Sequence, residues 1–223
     1  MEAQGFLFLF LVLVFVITGL VFAILKTRQR VKDMQEWGKK YGMQYTPKDR
    51  SLDDEFPEFS CLQRGHSRYA QNLLTGIDRG MRICAFDYHF STGNGKEEHS
   101  QVFSAVMVNT GLPLKPLLIR TENFWDKITE FIGFDDIDFE SAEFNREFYV
   151  KSPDKRWAYD VLHPKSMEYL LHAPRFTLEF QGPYIMAYRD RRFAIADFEE
   201  AYQVIRDVLN LLPDYLKREW KGQ

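Results

Sequence analysis

The first pattern along the chain is a block with no polar break. Gly5 to Leu25 reads GFLFLFLVLVFVITGLVFAIL without one charged residue. Twenty-one helical residues rise about 31 Å, close to the hydrocarbon thickness of a bilayer. A secretory leader fits less well. Met1 to Gln4 carries no Lys or Arg, and no small-x-small cleavage site follows the apolar run. The expectation is an uncleaved transmembrane anchor over residues 1–25.

After the anchor the pattern changes period. Val31, Met34, Trp37 and Tyr41 fall at near-helical spacing, and Gly42 offers a stop. Residues 26–46 therefore read as a basic juxtamembrane helix and connector. Pro47 to His66 is polar and turn-rich and reads as a loop. Tyr69–Ile77 and Met81–Phe90 read as strands joined by Asp78-Arg79-Gly80. Val102–Val108 alternates as a third strand, reached through an Asn94-Gly95 hairpin turn. Leu114–Arg120 adds an edge strand marked by Pro116.

Thr121 then caps a predicted helix whose Phe124, Trp125, Ile128, Phe131 and Ile132 share a face, with Gly133 ending it. Phe148–Lys151 reads as a short strand. Ser152-Pro153 and His163-Pro164 each open a helix, and Pro174 stops the second. Phe176–Phe180 and Tyr184–Tyr188 read as a second hairpin across Gln181-Gly182-Pro183. Asp197 is placed to cap a last helix, along which Phe198, Ala201, Tyr202, Ile205, Val208, Leu209 and Leu212 form one apolar stripe. Strands followed by helices predict an α+β fold: a transmembrane helix, then a mainly antiparallel sheet with packed helices over residues 47–223.

Several stretches carry a resemblance. They are Gly65-His66-Ser67-Arg68-Tyr69-Ala70-Gln71-Asn72, Ala85-Phe86-Asp87-Tyr88, Glu143-Phe144-Asn145-Arg146-Glu147-Phe148, and Asp160-Val161-Leu162-His163-Pro164 followed by Met167-Glu168-Tyr169-Leu170-Leu171. Over roughly residues 30–215 the chain resembles an uncharacterised bacterial family of single-span membrane proteins. The resemblance implies an anchor followed by a cytoplasmic domain of unknown function. It implies no activity and no catalytic residue.

Charge supplies the orientation. Lys26, Arg28, Arg30 and Lys32 follow the span, and no basic side chain precedes it. The positive-inside rule then places the N-terminus outside and the rest of the chain in the cytoplasm, at the cell membrane. Cys61 and Cys84 are expected to stay reduced there. The formal net charge of -3 gives no reason to expect nucleic-acid binding. The expected partners are the lipid bilayer and a protein at the membrane surface.

Signals for chemistry are weak. Asp87 and His89 are two apart on a strand and share a face. A two-residue turn at Asn94-Gly95 pairs Phe90 with His99, which puts His99 off that face; a slip of one residue brings it back. Asp87, His89 and His99 thus define the enzymatic alternative, a metal-dependent hydrolase. No serine has a nucleophile-elbow context, and Cys84 sits in an apolar strand as a small hydrophobe. No cofactor site is identified. The leading expectation is a membrane-tethered binding or scaffold domain with no identifiable catalytic site.

Overall fold

The computed structural model describes residues 2–121 and 136–216, with side chains from Phe8 onward. The helix predicted after Thr121 lies outside the described residues. Helix α1 (Glu2–Lys40) is one unbroken rod. The stretch Phe8–Lys40 is long and apolar enough to cross a membrane, with a mean hydropathy of 3.1 in its most apolar window. The N-terminal apolar helix fits a single span. Thr18, the one hydroxyl inside that window's apolar run, donates to the Val14 carbonyl, which satisfies its donor as a lipid environment would require.

The rod ends where glycine permits it. Gly42 adopts φ +62, and the Met43 amide donates back to the Gly38 carbonyl at 2.9 Å, closing the helix in a left-handed cap. Strand β1 (Gln44–Asp49) follows at once. The region expected to be a loop from Pro47 is therefore partly ordered: the end of β1, helix α2 (Leu52–Glu55) and a 3₁₀ turn at Ser60–Gln63. Pro47 is tolerated because β1 is an edge strand, and Pro47 has no partner in its ladder.

Strands β2 (His66–Asp78) and β3 (Met81–Thr92) form the expected antiparallel pair. Strand β4 (His99–Thr121) is one long strand, not two. Its first half pairs with β3 and its last residues pair with β5 (Phe148–Lys151). The expected second hairpin is also absent. Residues Thr177–Arg189 are a single strand, β6, which lies along β4. Gly182-Pro183 looks like a turn in sequence. In space Gly182 (φ +52) sits at a register irregularity that matches one in β4 between Asn109 and Leu117. Two matched bulges bend both strands together, so neither breaks.

The helices pack as the sequence spacing requires. Short helix α3 (Ala142–Glu147) is capped by Ser141, and the Asn145 side-chain amide bonds both backbone groups of Phe139. Asp154 caps α4 (Lys155–Val161), and α5 (Pro164–His172) begins with its proline in the first turn. Helix α6 (Ile195–Leu211) buries Phe198, Ala201, Tyr202, Ile205 and Val208. Asp197 accepts from the Ala194 amide inside the first turn of α6, so it closes the helix start from within.

The sheet thus has two unequal faces. The larger core packs Ile83, Ala85, Val106, Val108, Ile185 and Ala187 against α1, α4, α5 and α6. The smaller core packs Phe86, Tyr88, Phe103, Met186 and Tyr188 under Phe56, Phe59 and Leu62 from the segment between β1 and β2. Met34 and Trp37 of α1 belong to the larger core. Gly38 lets the rod approach the sheet, since a Cβ there would lie 2.6 Å from a Leu74 methyl. The helix that carries the apolar run is therefore also a core helix. Removing residues 1–25 is expected to leave a cooperatively melting domain, because Arg30, Met34 and Trp37 remain. Removing residues 1–40 is expected to abolish the thermal transition. A cooperative melt of the shorter product at the same temperature would show that α1 adds nothing to the fold.

Candidate functional site

Asp87 lies midway along β3, fully buried on the face that α1 covers. A buried carboxylate needs partners for both oxygens. Arg30 of α1 supplies two donors: Nη2 reaches Oδ1 at 2.6 Å and Nε reaches Oδ2 at 3.1 Å. The Ser104 hydroxyl donates to Oδ1 and the Asn72 amide to Oδ2. Asn72 gets there through a strand irregularity between Gln71 and Leu74, where its own φ is +54. The third guanidinium nitrogen of Arg30 donates to the Phe193 carbonyl at 2.6 Å. Ser104 in turn accepts from the Phe193 amide. Arg192 completes the cluster, with Nε 3.8 Å from Oδ2. Burial alone would raise the Asp87 pKa, but the Arg30 hydrogen bonds and charge, with Ser104 and Asn72, hold it below the usual carboxylate range.

His89 is one pleat beyond Asp87 on the same face. Its ring stacks on Tyr69, with centroids 4.8 Å apart and planes 2° from parallel. Lys48 sits over the other partner, its ammonium 3.8 Å from the Tyr69 centroid. On the far side Arg192 approaches the His89 Nε2 at 3.3 Å. Burial, then Arg192, push the His89 pKa down. His99 is opposite Thr92, not Phe90, because the connection runs through a 3₁₀ turn at Gly95–Glu97. This register differs from the expected one by two residues, so the face is unchanged: His99 is exposed on the side away from Asp87. The three residues of the hydrolase alternative are not brought together. Among the described residues, no group of three or more His, Cys, Asp or Glu is placed to hold a metal ion.

These shifts fix a sign for acid titration. A depressed folded pKa contributes stability above the unfolded value and loses it as pH falls. Thermal stability is expected to drop mildly below about pH 6.5 as unfolding lets His89 take a proton, and steeply below about pH 3.9 through Asp87. Melting temperature against pH checks both limbs, and His89→Gln should flatten the upper one.

The four basic residues flanking the span separate in space. Lys26, Arg28 and Lys32 are exposed, and Lys32 is 3.9 Å from exposed Glu36. Arg30 turns inward, its side chain 14% exposed. Sequence reasoning missed this partnership because 57 positions separate Arg30 from Asp87.

A second feature lies at the opposite end of the sheet. From Arg30 at Asp87, α1 runs to Gly38 at Leu74, and Met43 touches Gly76. The strand ends near Gly76 and Arg82 thus lie far from the apolar span. There, on the smaller-core face, a groove of ≈ 580 Å³ crosses the sheet beyond the edge of α2. Leu73, Cys84, Met107 and Tyr184 form its floor, with Asp49 and Glu55 on one wall and Arg82 on the rim. Burial first, then Glu55 and Asp49, raise the Cys84 thiol pKa, so it is unreactive. A groove of this size with an apolar floor is able to take a side chain or small ligand.

No protein-family model and no curated protein matches the sequence. The fold is similar to the crystal structure of the mycobacterial trehalose monomycolate transport factor A, TtfA, with a TM-score of 0.58. The likeness covers 82% of this chain and 96% of that one at 13% sequence identity. At that identity the likeness shows the fold alone.

Proposed function

We propose that this chain is a membrane-tethered binding or scaffold domain, facing the cytoplasm, whose partner is another protein at the membrane surface. The observation that carries the reading is the use made of Asp87. The best catalytic candidate in the sequence is saturated by Arg30, Ser104 and Asn72 and joins the span to the sheet. A carboxylate so occupied is poorly placed to exchange protons with a substrate. The fold is also similar to that of TtfA, a protein named as a transport factor, which suits a binding or scaffold role. The continuous helix restricts the domain to partners within reach of the bilayer, and the groove at Arg82 offers them a contact.

The test uses a photo-crosslinking amino acid at Ile77, which is 70% exposed on the groove rim. In intact membranes a single adduct of defined mass is expected, lost in Arg82→Glu. The same probe at Tyr159, exposed elsewhere, should not form it. Position-independent labelling, or no adduct at Ile77, would remove the groove from the reading. A C-terminal reporter active only outside the cytoplasm would remove the orientation.

A further inference from the structure

The row Lys48–Tyr69–His89–Arg192 crosses four neighbouring pieces of the fold at the end nearest the span. Its position relative to a bilayer follows from the Asp87 cluster. The apolar run stops at Leu25, five residues before Arg30, which is about 7.5 Å along a helix. The headgroup layer on one side of a bilayer is about 5–8 Å thick. Arg30 and Asp87 therefore sit at the water-facing boundary of that layer. His89 and Ser91 follow Asp87 along β3 in the direction opposite to the Arg30-to-Gly38 course of α1. The row thus lies on the bilayer-facing side of Asp87 whenever α1 spans.

The charge of the row is positive and open to solvent. Two guanidiniums, Arg30 and Arg192, share the single charge of Asp87. Arg30 takes the buried position, which leaves Arg192, 42% exposed, with the excess. Lys48 is exposed, with its ammonium over the Tyr69 ring face. Lys26 and Arg28 stand exposed on α1, between Arg30 and the apolar run. Among the described residues, Glu97 and Glu98, in the connection between β3 and β4, are opposing charges at this end, as is Asp190, which is paired with Arg64.

The structure assigns this rim a second membrane contact: we propose that Lys48 and Arg192, with Lys26 and Arg28, dock on the phosphates of anionic phospholipids. Docking fixes the tilt of the domain on the bilayer, where a span alone leaves it free to lean. Anionic lipid attracts such juxtamembrane cations over about a Debye length, and the apposition enforced by α1 keeps them within it. The contact requires the span but not a protein partner, so it stands or falls separately from the groove.

The full chain in nanodiscs tests it. A donor fluorophore on Pro47→Cys, next to Lys48, is read against an acceptor on a lipid headgroup; native Cys61 and Cys84 are buried. Discs of POPC are compared with discs of POPC and POPG in equal parts. Energy transfer is expected to be higher with POPG, and to fall to the POPC value near 1 M salt, where the Debye length shrinks to about 3 Å. Lys48→Gln combined with Arg192→Gln should lose most of the POPG increment, and Lys165→Gln, exposed on α5, should keep it. Lys48→Gln alone lies on an exposed edge and reads the proposal if the Arg192 change disturbs folding. Equal transfer in both discs, or an increment untouched by Lys48→Gln and the double variant, overturns the docking.

Discussion

Asp87→Ala is expected to destabilise the chain by about 3–5 kcal/mol, because it strands Arg30 beside Arg192 with no counter-charge. For a chain of this size that is a fall of about 6–20 °C in melting temperature. The loss is not confined to one contact. Arg30 also bonds the Phe193 carbonyl, and Ser104 ties the Phe193 amide to Asp87. Removing the carboxylate therefore loosens α1, β4 and the turn before α6 together. Asp87→Asn keeps one acceptor oxygen, which Ser104 and Arg30 can still share, and should cost less. Thermal unfolding in detergent, followed by circular dichroism, measures the series. A shift for Asp87→Ala no larger than for an exposed substitution would mean that the cluster does not hold the span to the sheet.

Ile205→Asp is expected to cost more than about 4 kcal/mol, among the largest effects a single core substitution produces. Ile205 is fully buried between α6 and the sheet. Its neighbours on the stripe, Phe198, Ala201, Tyr202 and Val208, are buried as well, so water cannot reach a carboxylate there. Ile205→Val removes one methylene and should cost about 0.5–1.5 kcal/mol. A graded pair of melting temperatures is the expected result. Equal effects from the two variants would place α6 on the periphery.

Much of this architecture is legible in the chain. The charge-free run, the glycine that ends α1, the β2–β3 turn and the stripe of α6 are local signals with local causes. What failed has a common physical origin. Gly182-Pro183 reads as a turn because its neighbours are judged alone; the strand continues because β4 carries a matching irregularity. Pro113 and Pro116 divide β4 in sequence for the same reason. The candidate site was half legible. Alternation correctly gives Asp87 and His89 one face, yet nothing local says that α1 covers it. A single arginine among four basic residues, turned toward a carboxylate far along the chain, has no sequence signature. An unexplained aspartate in an apolar strand is the nearest hint, since burial of a charge demands a partner.

Helix α1 runs from the apolar stretch into the core with no flexible joint, and its end is fastened by Arg30, Met34, Trp37 and, just past it, Tyr41. Mechanically it is a shaft and not a leash. Rotation or piston displacement of the span must move the sheet with it, and a load on the sheet must bear on the span. A lipid group carried on a disordered linker in place of residues 1–25 would keep the domain at the bilayer yet cut that transmission. Partners that respond to such a chimera as they do to the native chain need only proximity; partners that do not are reading the angle of the shaft.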